Sequence, residues 1–212
     1  MLDLFGDEEP WAEPLAEGAV VLRRRAREQA DAILAQVQEV AARNPFVHRF
    51  TPGGQRMSAA MTHCGDFGWA SESRGYGYAE PRNDVGRCPP MPPLFHQLAV
   101  SCAQEAGFSG FHPDFCLINR YEPGAKMGLH QDKDERDLRQ PIVSVSLGLP
   151  AVFLFGGFER TDATQRLLLE HGDVVVWGGP SRLRFHGILP LKPGSHPDAG
   201  AFRFNLTFRR AR

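Results

Sequence analysis

Short strand-like runs, each bounded by glycine or proline, dominate the chain from about residue 115 onward. The run IVSVSLGL at 142–149 is rich in β-branched residues and alternates as a strand does. The run HGDVVVW at 171–177 is typical of a turn that leads into a buried strand, because Gly172 and Asp173 are turn formers. Such strands become stable by pairing and burying one face, so the sequence predicts a mainly β fold.

Helical patterns are confined to the first half of the chain. In residues 26–42 the apolar side chains recur at helical spacing. A second helix is predicted near 92–106, with proline at its start and Gly107 at its end. Residues 43–91 are rich in glycine, proline and aromatic residues, which is typical of hairpins and loops. The whole pattern predicts an antiparallel β-core supported by flanking helices.

Length and charge limit what the protein can be. A chain of 212 residues is long enough for one sizeable core, so we predict a single domain over 1–212. The formal net charge is −1, so no overall positive field attracts nucleic acid, and such binding would need a local patch. The arginines at 23, 24, 25 and 27 form one basic cluster, which we expect at the start of the first helix as its solvated face.

Cysteine spacing and hydropathy predict the compartment. The four cysteines form no C-x-x-C pair, which favours reduced thiols in a cytosol. The acidic N-terminus lacks the pattern of a signal peptide. The apolar run at 142–158 is interrupted by Pro150 and by glycines, which argues against a membrane span. We therefore expect a cytoplasmic protein without a membrane segment, and a monomer, because nothing in the sequence suggests an obligate partner.

The chain contains four His-x-Asp pairs, and such pairs often arise by chance. Three of them, at 112–114, 171–173 and 196–198, hold a central proline or a turn-forming glycine, and a structural role is the simpler interpretation. The fourth pair precedes a charged segment and a predicted strand. Residues i and i+2 of an extended segment point the same way, so His130 and Asp132 could both face one metal ion.

A third metal ligand must come from elsewhere in the chain. His186, in the strand-like run SRLRFHGILP, is the candidate, although a core histidine without a ligand role is an equally open interpretation. Two histidines and one carboxylate can occupy one face of an iron(II) ion and leave the other positions open for substrate and oxygen. The three residues therefore point to an oxygenase more than to any other class.

The run FRFNLTFR at 202–209 alternates strictly between apolar and polar side chains. The usual interpretation is an amphipathic strand with a solvated polar face, but in a barrel that holds a ligand the polar face can point inward. Arg203 and Arg209 are about 20 Å apart along such a strand, at roughly 3.3 Å per residue. Their guanidinium groups could converge from both ends on a short dicarboxylate, because arginine binds carboxylates through two parallel hydrogen bonds.

Several stretches occur in an order that matches a known enzyme family. They are LINRYEPGAK at 117–126, LHQDKDE at 129–135, PIVSVSLGLPAVFLFGG at 141–157, LLLEHGDVVVWGG at 167–179, SRLRFHGI at 181–188 and FRFNLTFR at 202–209. Together they resemble the AlkB family of nucleic-acid repair dioxygenases, and the similarity covers nearly the whole chain. The resemblance implies a double-stranded β-helix, or jelly roll, with a catalytic core at 115–210 and a nucleotide-recognition lid at 43–91.

The resemblance also implies an activity. The cofactors would be iron(II), held by His130, Asp132 and His186, with 2-oxoglutarate and oxygen as cosubstrates. The reaction would oxidatively remove the methyl group of 1-methyladenine and 3-methylcytosine in single-stranded DNA, with RNA and double-stranded DNA as further substrates. Succinate and formaldehyde would be released. Two alternatives stay open: an oxygenase of the same fold that acts on a protein or small molecule, and a non-catalytic nucleic-acid binding module.

Five residues are implied in binding 2-oxoglutarate. Arg203 would pair with its distal carboxylate, aided by Tyr121 and Asn205. Arg209 and Asn119 would lie near its other end, where the 2-oxo acid binds the metal. Asn119 and Tyr121 are i and i+2 on one predicted strand, so they share a face. From the pattern alone, Tyr121 would be a half-buried packing residue.

The lid carries the residues implied in base recognition. Trp69 would stack on the damaged base opposite the His130 ring, Tyr76 would contact its phosphate, and Asp134 would face the exocyclic amine. A solvated position within a charge run is the alternative interpretation of Asp134. Weaker candidates for the lid or groove are Thr51, Met57, Met61, Lys133 and Arg160. Gln55 departs from the family pattern, which has an aromatic residue there, and this puts the grip on the nucleic-acid backbone in doubt.

Overall fold

The computed structural model describes residues 9–51, 53–72, 75–79 and 88–212, without the side chains of residues 69–72, 75, 76 and 79. Its strands, in chain order, are β1 (Trp11–Ala16), β2 (Ala19–Arg23), β3 (Val47–Phe50), β4 (Arg56–Gly65), β5 (Gly68–Glu72), β6 (Gly75–Ala79), β7 (Phe115–Tyr121), β8 (Met127–His130), β9 (Ile142–Gly148), β10 (Ala151–Phe155), β11 (Gln165–Leu169), β12 (Val174–Trp177), β13 (His186–Ile188) and β14 (Arg203–Arg209). The helices are α1 (Ala30–Arg43) and α2 (Pro93–Glu105). A 3-10 turn at Arg27–Gln29 precedes α1.

Two sheets and one hairpin account for these strands. The larger sheet has the order β1-β2-β12-β9-β14-β7-β4-β3, and the smaller sheet has the order β11-β10-β13-β8. Strands β5 and β6 pair only with each other among the described residues. Apolar side chains of both sheets, including Ile142, Trp177 and Phe153, share one buried cluster, so the sheets pack face to face. The predicted mainly β double-stranded β-helix with flanking helices is confirmed.

Both helices cover the outer face of the larger sheet. Apolar residues of α1, such as Ile33 and Val37, and of α2, such as Phe95, share a core cluster with the sheet. Their helical spacing puts them on one face, which explains why the periodic segments fold against the strands. None of the helices that the structure describes is long and apolar enough to span a membrane.

Strand β14 lies at the centre of the larger sheet and is buried along its whole length. Phe204, Leu206 and Phe208 pack into the core beneath the helices. The alternate side chains, Arg203, Asn205, Thr207 and Arg209, are also buried and face the space between the two sheets. Of the two interpretations of this run, the inward-facing one is therefore correct. A solvated polar face would have required an open or edge strand.

Two parts of the N-terminal half differ in detail from the sequence patterns. The basic cluster does not form the solvated face of a helix, because Arg23 ends β2 and its guanidinium binds Glu13 at 2.7 Å and Asp173 at 2.6 Å. Arg25 pairs with Glu105 of α2 at 2.7 Å. The range 43–91 contains the hairpin β5–β6 and also β3 and β4, which extend the larger sheet.

Candidate active site

Two histidines face each other across neighbouring strands of the smaller sheet. His130 ends β8 and His186 begins β13, and the two residues are direct partners in the antiparallel register. Their ring centroids lie 4.4 Å apart. His186 is buried, whereas His130 is partly open. Strand pairing therefore brings together two residues that lie far apart in the sequence, which no local pattern could have shown.

Asp132 completes the group from the loop that follows β8. One carboxylate oxygen lies 3.8 Å from His130 Nε2, and the other lies 3.8 Å from His186 Nε2. The candidate ligand atoms of the three residues all lie within 4.8 Å of one another. The structure thus brings together the three residues that were predicted to hold the metal.

Hydrogen bonds fix which ring nitrogens can bind a metal. Nδ1 of His130 donates to the carbonyl of Gly128 at 2.9 Å, and Nδ1 of His186 donates to the carbonyl of Arg184 at 3.1 Å. A carbonyl can only accept, so the proton of each neutral ring lies on Nδ1 and the Nε2 lone pair faces Asp132. Burial and the neighbouring His130 lower the pKa of His186 to about 3, which keeps this ring neutral. Two neutral histidines and one carboxylate suit iron(II).

The charge of Asp132 is held by its surroundings. Arg209 donates from Nη2 at 2.8 Å and from Nε at 3.1 Å to one carboxylate oxygen. Burial favours the neutral form of Asp132, but Arg209, His186 and His130 outweigh it and hold the pKa of this carboxyl below its usual range. Asp132 is therefore available as an anionic ligand.

A small cavity of about 60 Å³ lies between the sheets beside His130, Asp132 and His186, which are called the metal group below because they are the predicted metal ligands. Register places Arg203 opposite Tyr121 and Asn205 opposite Asn119 on the paired strands β14 and β7, so the four share one face. Ser144 of β9 also lines the cavity and accepts a hydrogen bond from Asn205 at 2.8 Å, and Ser146 of the same strand accepts one from Arg203 at 3.0 Å. All these polar side chains are buried, which is unusual unless they bind something.

Arg203 is the clearest sign of an anionic ligand in the small cavity. The residue is 1% exposed, and its Nε and Nη1 have no hydrogen-bond partner among the described residues. The carboxamide oxygen of Asn119 likewise has no partner within the described part of the chain. Burial lowers the pKa of Arg203, although the neighbouring Tyr121 opposes this shift. A carboxylate would satisfy the free donors, so the cavity fits the distal end of 2-oxoglutarate.

The two arginines of β14 differ in what they contact. Arg209 already binds Asp132 and also lies 3.4 Å from Glu135, so it belongs to the metal end of the cavity. Arg203 lies at the other end, 5.0 Å from the ring centroid of Tyr121. This arrangement agrees with the expectation that Arg203 takes the distal carboxylate and Arg209 lies near the metal.

A larger groove of about 580 Å³ adjoins His130 and Asp132. It shares Leu117, Met127, His130, Asp132 and Arg209 with the small cavity. Six of the predicted lid or groove residues line it, namely Thr51, Gln55, Met57, Met61, Asp134 and Arg160. Lys133 is exposed and is not part of the described lining. A molecule in the groove would thus lie beside His130 and Asp132, next to the small cavity.

The other base-recognition candidates can be placed only in part. Trp69 lies in β5 and Tyr76 in β6, where they pair in register with Tyr78 and Ser71, respectively. Their side chains lie outside the described residues. Asp134 lines the groove at an exposed position, and partial enclosure together with Glu135 and Asp132 raises the pKa of its carboxyl.

Sequence patterns did not single out two buried charged residues near the metal group. Glu135 belongs to the charge run KDERD, yet its side chain is only 3% exposed. Its carboxylate binds Arg182 at 2.9 Å and accepts a hydrogen bond from the Tyr78 hydroxyl at 2.5 Å. Neither residue carries a periodic signal, because both follow turns or irregular segments. Only the position of Arg182 within SRLRFHGI could have drawn attention to it.

A second group of two histidines and one aspartate lies near the end of β9. The rings of His171 and His196 stack at 4.2 Å with Asp198 nearby, and the candidate ligand atoms again lie within 4.8 Å of one another. Here Nδ1 of His171 accepts from the Gly148 backbone N–H at 3.0 Å, and Nδ1 of His196 accepts from the Asp198 N–H at 3.2 Å. The proton of each neutral ring therefore lies on Nε2, which leaves neither ring a free lone pair.

Comparisons with known proteins agree with this geometry. The family model for the 2OG-Fe(II) oxygenase superfamily matches residues 18–209. The alpha-ketoglutarate-dependent dioxygenase AlkB of Salmonella typhimurium is 59% identical over 100% of this chain and 98% of its own length. The chain belongs to the AlkB family. It is an iron(II)- and 2-oxoglutarate-dependent dioxygenase, since alpha-ketoglutarate is another name for 2-oxoglutarate.

Relatives of the AlkB family also include plant proteins. The DNA N(6)-methyladenine demethylase ALKBH1C of Arabidopsis thaliana is 35% identical over 67% of this chain and 37% of its own length. The solved structure of OsALKBH1 superposes with a TM-score of 0.82 at 30% identity, covering 94% of this chain and 99% of that one. The AlkB fold is therefore shared beyond the bacterial sequences.

Proposed function

We propose that the protein oxidatively demethylates alkylated nucleobases, namely 1-methyladenine and 3-methylcytosine, in single-stranded DNA and in RNA. The reaction would decarboxylate 2-oxoglutarate to succinate and release formaldehyde. The observation that carries the proposal is that two cavities share His130 and Asp132 in their lining. The small cavity also contains Arg203, and the other is a groove of about 580 Å³. A nucleic-acid substrate also agrees with the similarity to the DNA N(6)-methyladenine demethylase ALKBH1C of Arabidopsis thaliana.

His130, Asp132 and His186 would hold the iron, and bound iron would supply the activation of oxygen that hydroxylates the methyl carbon. The protein contributes geometry and charge. The hydrogen bonds of both Nδ1 atoms to backbone carbonyls keep the rings oriented, and Arg209 keeps Asp132 anionic. The hydroxylated product would then lose formaldehyde, with breakage of the bond between the carbon and the base nitrogen.

The 2-oxoglutarate would lie along β14. Arg203 would bind its distal carboxylate with help from Tyr121 and Asn205, and Asn119 and Arg209 would flank its metal-binding end. Support comes from the buried Nε and Nη1 of Arg203, which have no partner within the described part of the chain, and from the shared face of β7 and β14. Arg203 would thereby fix the length of the acid that the cavity accepts, because a shorter dicarboxylate could not reach both the metal and the guanidinium.

The base would enter through the larger groove. Asp134 lines this groove and would accept a hydrogen bond from the exocyclic amine, while Trp69 would stack on the base opposite His130, and Tyr76 would contact its phosphate. Arg209 and Arg182 balance the charges of Asp132 and Glu135, so Asp134, which lines the groove, would supply the attraction for a positively charged base such as 1-methyladenine or 3-methylcytosine.

The nucleic-acid backbone would lie along the basic rim of the groove, with the range 43–91 acting as a lid. Arg56, Lys126 and Arg160 line the groove, and Thr51, Met57, Met61 and Lys133 would give weaker contacts on or near it. Gln55 is exposed in this groove, and its side chain has no aromatic ring, so it would contact the nucleic-acid backbone less than an aromatic residue would. With a net charge of −1 the protein offers only this local patch, so binding would be weak and salt-sensitive.

The decisive experiment uses a single-stranded oligonucleotide with one 1-methyladenine, followed by mass spectrometry for loss of the methyl group. We expect loss that requires iron(II) and 2-oxoglutarate and that disappears in His130→Ala. Trp69→Ala should reduce demethylation while leaving succinate formation without substrate unchanged. Succinate without demethylation would redirect the site to a protein or small-molecule substrate. Iron-loaded protein that forms neither product would contradict the proposal.

A further inference from the structure

The three proposed metal ligands are not held in the same way. His130 and His186 lie on paired strands, where backbone hydrogen bonds fix them. Asp132 lies on an irregular segment between the end of β8 and the start of β9, outside any strand. An irregular loop keeps a carboxylate within coordination distance only if other contacts hold its backbone.

Arg182 supplies contacts of this kind. Its side chain is 3% exposed, and it donates from Nη1 to the Asp132 carbonyl at 2.5 Å and from Nε to the Gln140 carbonyl at 2.8 Å. Its Nη2 donates to the Glu135 carboxylate at 2.9 Å. One guanidinium group therefore binds the loop near its beginning, at its middle and near its end. The donors of this group point in three fixed directions, which an ammonium group on a flexible stem cannot reproduce.

Glu135, which binds Arg182, also contacts Tyr78 and Arg209. Its carboxylate accepts a hydrogen bond from the Tyr78 hydroxyl of β6 at 2.5 Å and lies 3.4 Å from Arg209 Nε. Arg209 in turn binds Asp132. Two buried guanidinium groups and two buried carboxylates thus balance one another, so removal of one member leaves an uncompensated buried charge.

We propose that Arg182 is a positioning residue for the metal centre: it holds the backbone of the Asp132 loop so that this carboxylate faces both histidines. Arg182 itself lies behind the loop and contacts neither the metal position nor the substrate groove among the described lining residues. The inference rests on the metal ligands proposed above and not on the nucleic-acid substrate. Through Glu135, the same residue also ties strand β6 of the hairpin to the loop.

The test is metal binding without turnover. Mn(II) is added to the full-length protein, and the free ion is measured by its electron paramagnetic resonance signal. We expect Arg182→Lys to weaken Mn(II) binding by about 10- to 100-fold, the range found when a partner that orients a metal ligand is lost. Arg23→Lys is the matched control, because Arg23 is also a poorly exposed arginine that binds two carboxylates, but neither carboxylate is a proposed metal ligand and Arg23 lines neither cavity. It should bind Mn(II) as the unmodified protein does.

A second measurement separates positioning from charge. Hydrogen exchange of the backbone amides at 133–140 should be faster in Arg182→Lys than in the unmodified protein, although the buried positive charge is retained. Arg182→Ala should recover part of its Mn(II) affinity when free guanidinium is added at a non-denaturing concentration. If neither variant folds, hydrogen exchange of the amides at 133–140 is measured in the unmodified protein. Exchange as fast as that of an unstructured peptide would overturn the proposal, because it would show that the loop backbone is not held.

The outcomes are distinguishable. Folded Arg182→Lys that binds Mn(II) as tightly as the unmodified protein, with unchanged exchange in the loop, would sink the proposed role of Arg182. His186→Ala serves as the check on the ligand set and should lose Mn(II) binding. Unchanged binding in His186→Ala would instead show that the proposed ligands are wrong, whatever Arg182 does.

Discussion

Two groups of two histidines and one aspartate lie in the described part of the chain, and their ring nitrogens are used in opposite ways. At His130 and His186 the Nδ1 atoms donate to carbonyls, so the Nε2 lone pairs face the carboxylate. At His171 and His196 the Nδ1 atoms accept from backbone N–H groups, so the lone pairs are already used. Proximity of ligand-type residues is therefore insufficient to predict a metal site, and the backbone partner of each ring decides.

The largest expected effect is on Mn(II) affinity, which should fall when a histidine of the first group is removed but not when a histidine of the second group is removed. His186→Ala removes a ligand and should lower Mn(II) affinity by more than about 100-fold, beyond the effect of losing a supporting partner. His196→Ala should leave the affinity and a stoichiometry of one Mn(II) per chain unchanged. Titration of each variant followed by electron paramagnetic resonance provides the measurement. Two ions per chain in the unmodified protein would break the comparison.

The next effect concerns the small cavity beside the first group. Arg203→Met removes the donors expected for the distal carboxylate, a loss of about 2 to 3 kcal/mol, so the KM for 2-oxoglutarate should rise about 30- to 150-fold. Succinate formation at varied 2-oxoglutarate gives this value. In the variant, a change in kcat with unaltered KM would show that Arg203 does not bind the cosubstrate. Arg23→Lys should leave the KM unchanged.

Acidification should act on the second group. Burial and the neighbouring His196 lower the pKa of His171, while Asp198 and Asp31 oppose this and Arg27 adds to it. In the unfolded chain His171 has an ordinary pKa, so as pH falls below about 6.5 the unfolded chain takes up a proton before the folded protein does. Proton uptake by the unfolded chain favours unfolding. The stability that the neutral His171 ring gives the fold is therefore complete above this pH and is lost below it. The loss through one ring is at most about 1.4 kcal/mol per pH unit.

Urea unfolding at pH 7 and pH 5 tests this expectation. His171→Gln should be less stable than the unmodified protein at pH 7 and should lose less stability on acidification. An equal or steeper loss in His171→Gln would assign the acid sensitivity to other groups. Another buried ring, His63, contributes in the same direction, because burial and then Arg49 lower its pKa to about 4. His63 is intact in both proteins, so its contribution cancels in the comparison.

The smallest effect should come from Asp198. Its carboxylate lies 3.6 Å from His196 Nδ1 and its side chain is 45% exposed. With the proton of the neutral His196 ring on Nε2 this contact is not an ion pair, and exposed contacts of this kind contribute about 1 kcal/mol at most, so Asp198→Asn should change the melting temperature by only a few degrees. Differential scanning calorimetry with and without Mn(II) measures this. A metal-dependent difference between Asp198→Asn and the unmodified protein would show that Asp198 binds an ion after all.

Sequence patterns predicted elements better than they predicted contacts. The alternation of 202–209 and the periodicity of 26–42 depend on local burial, and both segments form the expected strand and helix. The pair His130 and Asp132 was visible from its spacing. For His186 the strand-like run left a ligand and a core histidine equally open, because only strand pairing brings it close to His130. Local patterns carry no information on which residues a folded chain brings together from distant segments.

The missed residues show the same limit. Glu135 looks like part of a solvated charge run, and only the packing of Arg182 and Tyr78 against it makes it a buried anion. The second histidine group was also missed, because His171 and His196 lie on separate turns and meet only after folding. In each case the decisive information is a tertiary contact, which neither composition nor periodicity encodes.

Two nitrogen atoms of the Arg203 guanidinium, Nε and Nη1, have no hydrogen-bond partner among the described residues, and this has a consequence for the lifetime of the protein. An acid that pairs with Arg203 in the folded chain, but finds no such site in the unfolded one, shifts the folding equilibrium towards the native state. At 100 times its Kd such an acid stabilises the fold by about 2.7 kcal/mol. Since proteases degrade mainly unfolded chains, the supply of a small metabolite would set how long each copy survives, as well as how fast it works.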